Sequence, residues 1–377
     1  MKKLRLGVIG AGAWTVASHL PNLQRRREVE FIAVNRRDPV LLERVRSRFG
    51  FEHASTDFRD VLAQGLDICI IGSPARWHHE HARAAMEAGA HVLVEKPFTI
   101  DPADAWDLVS VAERTGRHLV ISLGWHYKPM VMKAKALMVD EAGIGRTEQV
   151  SVIMASTTRE VLRGTILPFA ADQRASQGFV ATGPEPPAPE LVPRPETTMD
   201  PDVAGGGYAQ AQLSHAIGLV LWITGLRGSE VFAFMAPHDA AVELHDALAI
   251  RFEGGAIGTV SGGSSHLGAH RNKHELDVRL IGSAGQLHID LERERLWRYR
   301  PPEGELRVPL PARAGLYDCR GPVDALVDLA LGRDVRNASP GELGARTVEI
   351  VDAAYRSART GRPAAINVGT ATSTDVA

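Results

Sequence analysis

Three clusters in this 377-residue chain combine residue types and spacing suited to chemistry. The run GVIGAGAWT puts Gly10 and Gly12 directly after an apolar stretch and at the start of a helix-period segment, with Ala13 and Trp14 following. The first glycine permits a tight turn, the second lets backbone N–H groups approach a pyrophosphate, and the helix N-terminus favours the anion. Thr15 stands at the third position of the pattern, where a glycine is usual. The run VNRRD closes the next apolar stretch. An acidic residue there would accept from the adenosine ribose and repel a 2′-phosphate. Asn35 takes its place, and Arg36 and Arg37 are suited to pairing a phosphate, so NADP is expected over NAD, with Asp38 leaving NAD use open. The third cluster, IGSPARWHHEHARAAMEAGAHVLVEKPFT, sets Ser73 and Pro74 in a turn and His78 as the cap of the helix that follows. It ends with Glu95, Lys96 and Pro97 at the C-terminal end of a strand, where open α/β sheets bind ligands. The rings of His78, His79 and His81 leave a helix on different faces, so no metal site is expected.

These clusters need a doubly wound sheet to bring them together. From Leu4 to Thr99, apolar runs (LRLGVIG, VEFIAVN, LDICIIG, HVLVEKP) alternate with helix-period segments at Ala13 to Leu23, Pro39 to Phe49 and His78 to Ala88. That βαβαβ rhythm predicts a parallel sheet covered on both faces. The segment DPADAWDLVSVAERTG adds a helix with Asp101 as N-cap, Pro102 at N1 and Gly116 past its end, followed by the strand HLVISLG. A Rossmann dinucleotide-binding domain is therefore expected over residues 1–123.

From residue 124 to 377 the pattern changes to long strands: TEQVSVIMAS, EVFAFMA, ALAIRFEGGAIGTVSGG, ELDVRLIG and QLHIDLERERLWRYR. They predict an α+β domain for substrate binding and oligomerisation, built on a large, mainly antiparallel open sheet with a broad face for isologous pairing. The proline-dense run from Gly178 to Pro195 excludes helix and central strand and reads as an extended surface excursion. A helix over about 341–359, with Leu343, Val348, Val351 and Ala354 apolar, is expected to pack at the domain junction.

Bulk composition narrows the class. A hydrophobic fraction of 44%, a charged fraction of 23% and a net charge of -2 are those of a globular protein without the basic surplus that attracts nucleic acid. Two cysteines, Cys69 in an apolar run and Cys319 far along the chain, read as buried free thiols rather than a disulfide framework or a metal knuckle. No stretch approaches the roughly 20 apolar residues that span a bilayer. The basic, apolar start ends at Gly10 without a cleavage pattern, so a cytoplasmic location and a small-molecule partner are expected.

The chain resembles the glucose–fructose oxidoreductase, inositol dehydrogenase and rhizopine-catabolism family of sugar dehydrogenases. The resemblance rests on the glycine loop, the S-P-x-x-x-H and E-K-P stretches, GWHYKPM, GGGYAQAQLSHAIGLVLWITG and NASPGELGARTVEIVDAAYRSARTGRP, which together span nearly the whole chain. It implies that Lys96 contacts the nicotinamide ribose and the reacting hydroxyl, where an ammonium stabilises an alkoxide-like oxygen. In the family's second signature Gly205, Gly206, Gly207 and His215 match, whereas Ala211 and Gly218 stand where carboxylates are usual. Gln210 and Gln212 are neutral hydrogen-bonding candidates in their place. Helical spacing sets His215 on the face of Ala211 and Gln212, and His215 is the expected general acid/base.

His126 and Lys128, where family members more often carry asparagine and arginine, are expected at the nicotinamide or the substrate mouth. The resemblance implies an oxidoreductase that moves a hydride between nicotinamide, NADP being favoured by the VNRRD run, and a secondary alcohol or ketone of a sugar, cyclitol or glycoside. It also implies a homodimer or homotetramer. Two alternatives accompany it: a redox-neutral glycoside-cleaving enzyme with bound cofactor, and a nucleotide-binding sensor that has lost catalysis.

Overall fold

The computed structural model describes residues 3–139, 143–164, 194–265 and 274–366. The first sheet has six parallel strands: β1 (Leu4–Ile9), β2 (Val29–Asn35), β3 (His53–Ser55), β4 (Ile68–Ile71), β5 (His91–Val94) and β6 (Leu119–Ile121). Their order is β3-β2-β1-β4-β5-β6, so the winding reverses between β1 and β4. Ile9 pairs with Asn35 on one flank and Ile71 on the other, which brings the turns after β1, β2 and β4 level at one end of the sheet. Both faces are covered, which is why β1, β4 and β5 are nearly continuous apolar runs. The short edge strand β3 and the helix Phe58–Leu62 behind it carry too few apolar residues to stand out in the sequence.

Local chemistry sets the helix ends. Asp38 accepts from Val40 and Leu41 N–H, Pro39 occupies N1, and Gly50 closes the helix Pro39–Phe49 in the left-handed region. Asp101 and Gly116 do the same for the helix Pro102–Thr115.

The second sheet has nine strands: β7 (Thr147–Ser156), β8 (Gly228–Ala236), β9 (His245–Phe252), β10 (Ile257–Ser264), β11 (His274–Gly282), β12 (Gly285–Asp290), β13 (Arg295–Arg300), β14 (Gly304–Arg307) and β15 (Ala364–Ala365). All neighbours pair antiparallel except β7 and β10 at its centre. The stretch expected as one strand from Gln286 to Arg300 is a hairpin: β12 and β13 pair antiparallel across a turn holding Glu294 at a φ of 54°.

The helix Gly341–Thr360 packs between the helix Pro102–Thr115 and β8, joining the two sheets. A second helix, Arg320–Ala330, returns to the first sheet: its Val323, Leu326 and Val327 are fully buried in one core with Leu6, Val8 and Leu93. No helix among the described residues is long and apolar enough to cross a membrane. The proline-dense excursion expected at Gly178 to Pro195 lies outside the described residues except for Arg194 and Pro195.

Candidate active site

A cavity of about 840 Å³ runs from the glycine turn after β1, past the C-terminal ends of β4 and β5, to the helix Ser214–Thr224 of the second sheet's layer. Gly10 has a φ of +81°, and a Cβ there would lie 2.3 Å from the Ser73 nitrogen, so the turn and the Ser73-Pro74 loop touch through bare backbone. Thr15, in the usual third glycine position, donates from Oγ1 to the Gly10 carbonyl at 3.2 Å. Gly72 makes room for it, because a Cβ there would meet Thr15 Oγ1 at 2.0 Å. The missing glycine is thus compensated on the neighbouring strand. A bare turn opening into a helix beside a cavity of this size suits a pyrophosphate, and the residues fit a dinucleotide.

Of the expected cofactor residues, Gly10, Gly12, Ala13, Trp14, Asn35, Arg36, Arg37, Ser73, Pro74, His78, Glu95 and Lys96 all line this cavity. Asn35 is buried: its Oδ1 accepts from Gly10 N at 3.3 Å and its Nδ2 donates to the Ser55 carbonyl at 3.1 Å. Arg36 is also buried and donates to the Ala11 carbonyl at 2.8 Å, bracing the glycine turn, while Arg37 is exposed at the rim. Asp38 is committed to capping its helix and to an ion pair with Arg194 at 3.0 Å. Those amides and the guanidinium hold its carboxyl below the usual value.

His78 begins the helix His78–Glu87 but makes no cap, contrary to expectation. Its ring is buried between carbonyls, with Nε2 2.6 Å from Ser73 O and Nδ1 2.9 Å from Pro97 O, so it ties the Ser-Pro loop to the Glu-Lys-Pro loop. Burial pushes its pKa down. His81 meets the hydroxyl of the same Ser73 whose carbonyl faces His78, while His79 turns away to Asp107.

Glu95 is buried at the end of β5. Burial opposes its charge, yet the His19 hydrogen bond and the Lys96 ammonium hold its carboxyl below the ordinary value. His19 Nε2 donates to Oε1 at 2.5 Å, and the Lys96 N–H donates to Oε2 at 3.0 Å. Lys96 extends across the cavity and its Nζ donates to the Ala211 carbonyl at 2.7 Å. Burial lowers the Lys96 pKa, which moves an amine towards proton exchange. Ala211, Gln212 and His215 share the cavity wall, as the helical spacing predicts, although the run Ala209–Leu213 is a π turn leading into the helix Ser214–Thr224. Gln210 is buried and does not line the cavity.

His126 and Lys128 do not reach the cavity. The 3₁₀ turn Gly124–Tyr127 points His126 into the core, 5.6 Å from the Trp222 ring, where burial lowers its pKa to about 4. Lys128 pairs with Asp318 at 2.9 Å. The same turn aims Trp125 inwards, where its ring meets His215, His274 and Tyr317 at centroid distances of 5.5, 5.2 and 4.8 Å. Sequence reasoning missed Trp125, His274 and Tyr317 as wall residues. Trp125 stands one position before His126 in the run GWHYKPM and lines the cavity in its place, whereas His274 and Tyr317 arrive from distant segments with no local signal. Burial raises the Tyr317 pKa well above its usual value, keeping the hydroxyl protonated. The thiols of Cys69 and Cys319 are free and buried.

The chain matches the model described as the oxidoreductase family, NAD-binding Rossmann fold, over residues 4–123. It matches that of the GFO/IDH/MocA C-terminal domain over residues 179–288. One relative is the 1-carboxy-3-chloro-3,4-dihydroxycyclohexa-1,5-diene dehydrogenase of Comamonas testosteroni, 25% identical over 68% of this chain but only 57% of that one. Another is the dTDP-3,4-didehydro-2,6-dideoxy-alpha-D-glucose 3-reductase of Saccharopolyspora spinosa, 26% identical over 77% of this chain and 75% of the relative. Among solved structures, levoglucosan dehydrogenase in complex with NADH and levoglucosan superposes with a TM-score of 0.75 at 20% identity, over 97% of this chain and 100% of that one.

Proposed function

The chain belongs to the GFO/IDH/MocA oxidoreductase family, and on that premise we propose that it interconverts a secondary alcohol and a ketone of a sugar, cyclitol or glycoside with a nicotinamide dinucleotide, NADP(H) being favoured. The observation that carries this reading is the convergence of Lys96 and His215 on one cavity with the glycine turn. When bound, the nicotinamide ring supplies the acceptor or donor of the hydride. Gly10, Gly12 and the helix that follows would hold the pyrophosphate, and His78 fixes the Ser73-Pro74 loop to the Glu95-Lys96-Pro97 loop beside that turn. Lys96, its pKa lowered by burial, takes or returns the hydroxyl proton and stabilises charge on the reacting oxygen. His215 lies on the opposite wall as the second acid/base group, and Gln212 is placed to hold a neighbouring hydroxyl. Trp125 and Tyr317 offer faces for the apolar side of a ring substrate.

The NADP preference is supported by the corner after β2. Asn35 carries no charge, Asp38 is neutralised by Arg194, and Arg37 is exposed at the rim. The names of the relatives, which include a deoxysugar reductase and a levoglucosan dehydrogenase, support a carbohydrate or polyol substrate. Assembly as a dimer or tetramer is supported by the outer face of the second sheet, where Ile153, Phe234 and Ile257 are 56%, 70% and 54% exposed. The test is to titrate the purified chain with NADPH and with NADH by nicotinamide fluorescence, then to screen sugars and cyclitols for formation of reduced nicotinamide. Failure to bind either nucleotide sinks the reading.

A further inference from the structure

A buried carboxylate outside the cavity grips the segment that carries the reacting groups. Glu243 lies between β8 and β9, and its Oε1 accepts from Gly207 N at 2.9 Å, Ala209 N at 3.0 Å and the Tyr355 hydroxyl at 2.5 Å. Its Oε2 also faces Gly207 N at 2.9 Å, and its carbonyl accepts from Tyr208 N at 2.9 Å. The glycines of the GGG run create the space for this grip. A Cβ at Gly206 would fall 2.0 Å from the Tyr355 hydroxyl oxygen, and one at Gly207 would fall 2.2 Å from the Glu243 carbonyl oxygen. No side chain other than hydrogen fits between the carboxylate and the amides it holds.

The held amides open the continuous helical run from Ala209 to Thr224. Two residues past the grip, the Ala211 carbonyl receives Lys96; six residues past it, His215 lines the cavity. A helix start that needed only its amides satisfied would use a serine, threonine or aspartate of its own segment. Here the acceptor comes from 34 residues away and is itself held by a tyrosine of the helix Gly341–Thr360. The grip therefore fixes the run against two other elements.

We propose that Glu243, held by Tyr355, is a positioning residue that sets the Ala209–Thr224 run, and with it the spacing of Lys96 and His215 across the cavity. It touches neither substrate nor coenzyme and acts through the backbone. The inference rests on the reading of Lys96 and His215 as the reacting pair. Asp246, buried nearby, is pushed up to about 8 by burial and by the Glu243 charge, and burial raises the Glu243 carboxyl as well.

The test uses the full chain and needs no substrate. Lys96 reactivity is followed by trace acetylation with acetic anhydride across a pH series, read by peptide mass spectrometry, in the parent, Glu243→Gln and Tyr355→Phe. If the grip positions Ala211, its loss withdraws the carbonyl from the Lys96 ammonium. Lys96 labelling at pH 8 then rises by about ten-fold or more, the shift expected from losing one hydrogen bond to an ammonium, while the other lysines keep their rates. Tyr355→Phe moves Lys96 in the same direction by less, and it serves alone should Glu243→Gln fail to fold. An unchanged Lys96 profile in a variant that melts cooperatively overturns the proposal. So does equal acceleration at every lysine, which is the mark of general loosening. NADH titration of the parent is run alongside, and its failure counts against the functional reading, leaving the labelling result to decide the grip.

Discussion

The Lys96 ammonium donates to the backbone carbonyl of Ala211 at 2.7 Å. Since the partner is a carbonyl, Lys96 has no anion there to hold its proton, and burial lowers its pKa. Lys96→Ala is expected to bind NADPH within a few-fold of the parent while turnover falls by about 10²- to 10⁴-fold, the usual worth of a positioned acid/base group. Fluorescence titration and single-turnover kinetics on the same preparation separate the two effects. Equal loss of binding and turnover would show that Lys96 serves the coenzyme site alone.

The two arginines after β2 should behave differently. Arg37 is exposed at the cavity rim, so Arg37→Asp is expected to weaken NADPH by about 10- to 100-fold, the worth of a charge-assisted pair of about 1.5–3 kcal/mol, and to leave NADH unaffected. Arg36 also braces the Ala11 carbonyl, so Arg36→Asp weakens both nucleotides. Parallel titrations check this, and equal effects of Arg37→Asp on NADH and NADPH would remove the case for a 2′-phosphate.

His19 is wholly buried and holds Glu95 beneath Lys96. His19→Ala removes the 2.5 Å donor from the carboxylate and leaves it to Ser122 and the Lys96 N–H. A cost of about 1–3 kcal/mol is expected from an unsatisfied buried group, read as a lower urea midpoint with an unchanged slope. An unaltered midpoint would mean that Glu95 finds another donor.

Asp246 predicts a pH signature. Its carboxyl rises from an ordinary 3.8 to about 8 in the folded chain, so between these values the native state binds the extra proton. Stability therefore falls as pH rises from about 4 to 8 and levels off above that. Asp246→Asn mimics the protonated form, so its melting temperature should exceed the parent's at pH 9 by on the order of 5 °C. The gap should narrow steadily below pH 8 and close towards pH 4. A gap independent of pH would assign the effect to packing.

Much of this molecule is legible in its sequence where local chemistry decides. The glycine turn, the capped helices at Asp38 and Asp101 and the strand ending in Glu95 and Lys96 each obey rules that act within a few residues. What escaped depends on distance or on a one-residue choice. Trp125 and His126 are adjacent, and only the packing of their turn decides that the first faces the cavity and the second the core. The Glu243 grip and the wall residues His274 and Tyr317 come from segments whose sequences say nothing of where they dock. The short strand β3 and the buried helix Arg320–Ala330 were missed for opposite reasons. The first is too brief to show a period, whereas the second has a clear helical apolar pattern but nothing local that says it returns to cover the first sheet.

That helix has a consequence for how the protein is made. Strand β6 ends at Ile121, but the Val323, Leu326 and Val327 side chains that cover Leu6, Val8 and Leu93 lie some two hundred residues later. At ribosomal speeds of about 5–20 residues per second, the nascent sheet waits on the order of 10–40 s with part of one apolar face bare. A nascent chain stalled after Ile121 should therefore be sticky and protease-sensitive, and a binding partner such as a chaperone would find its purchase there until the last quarter of the polypeptide emerges.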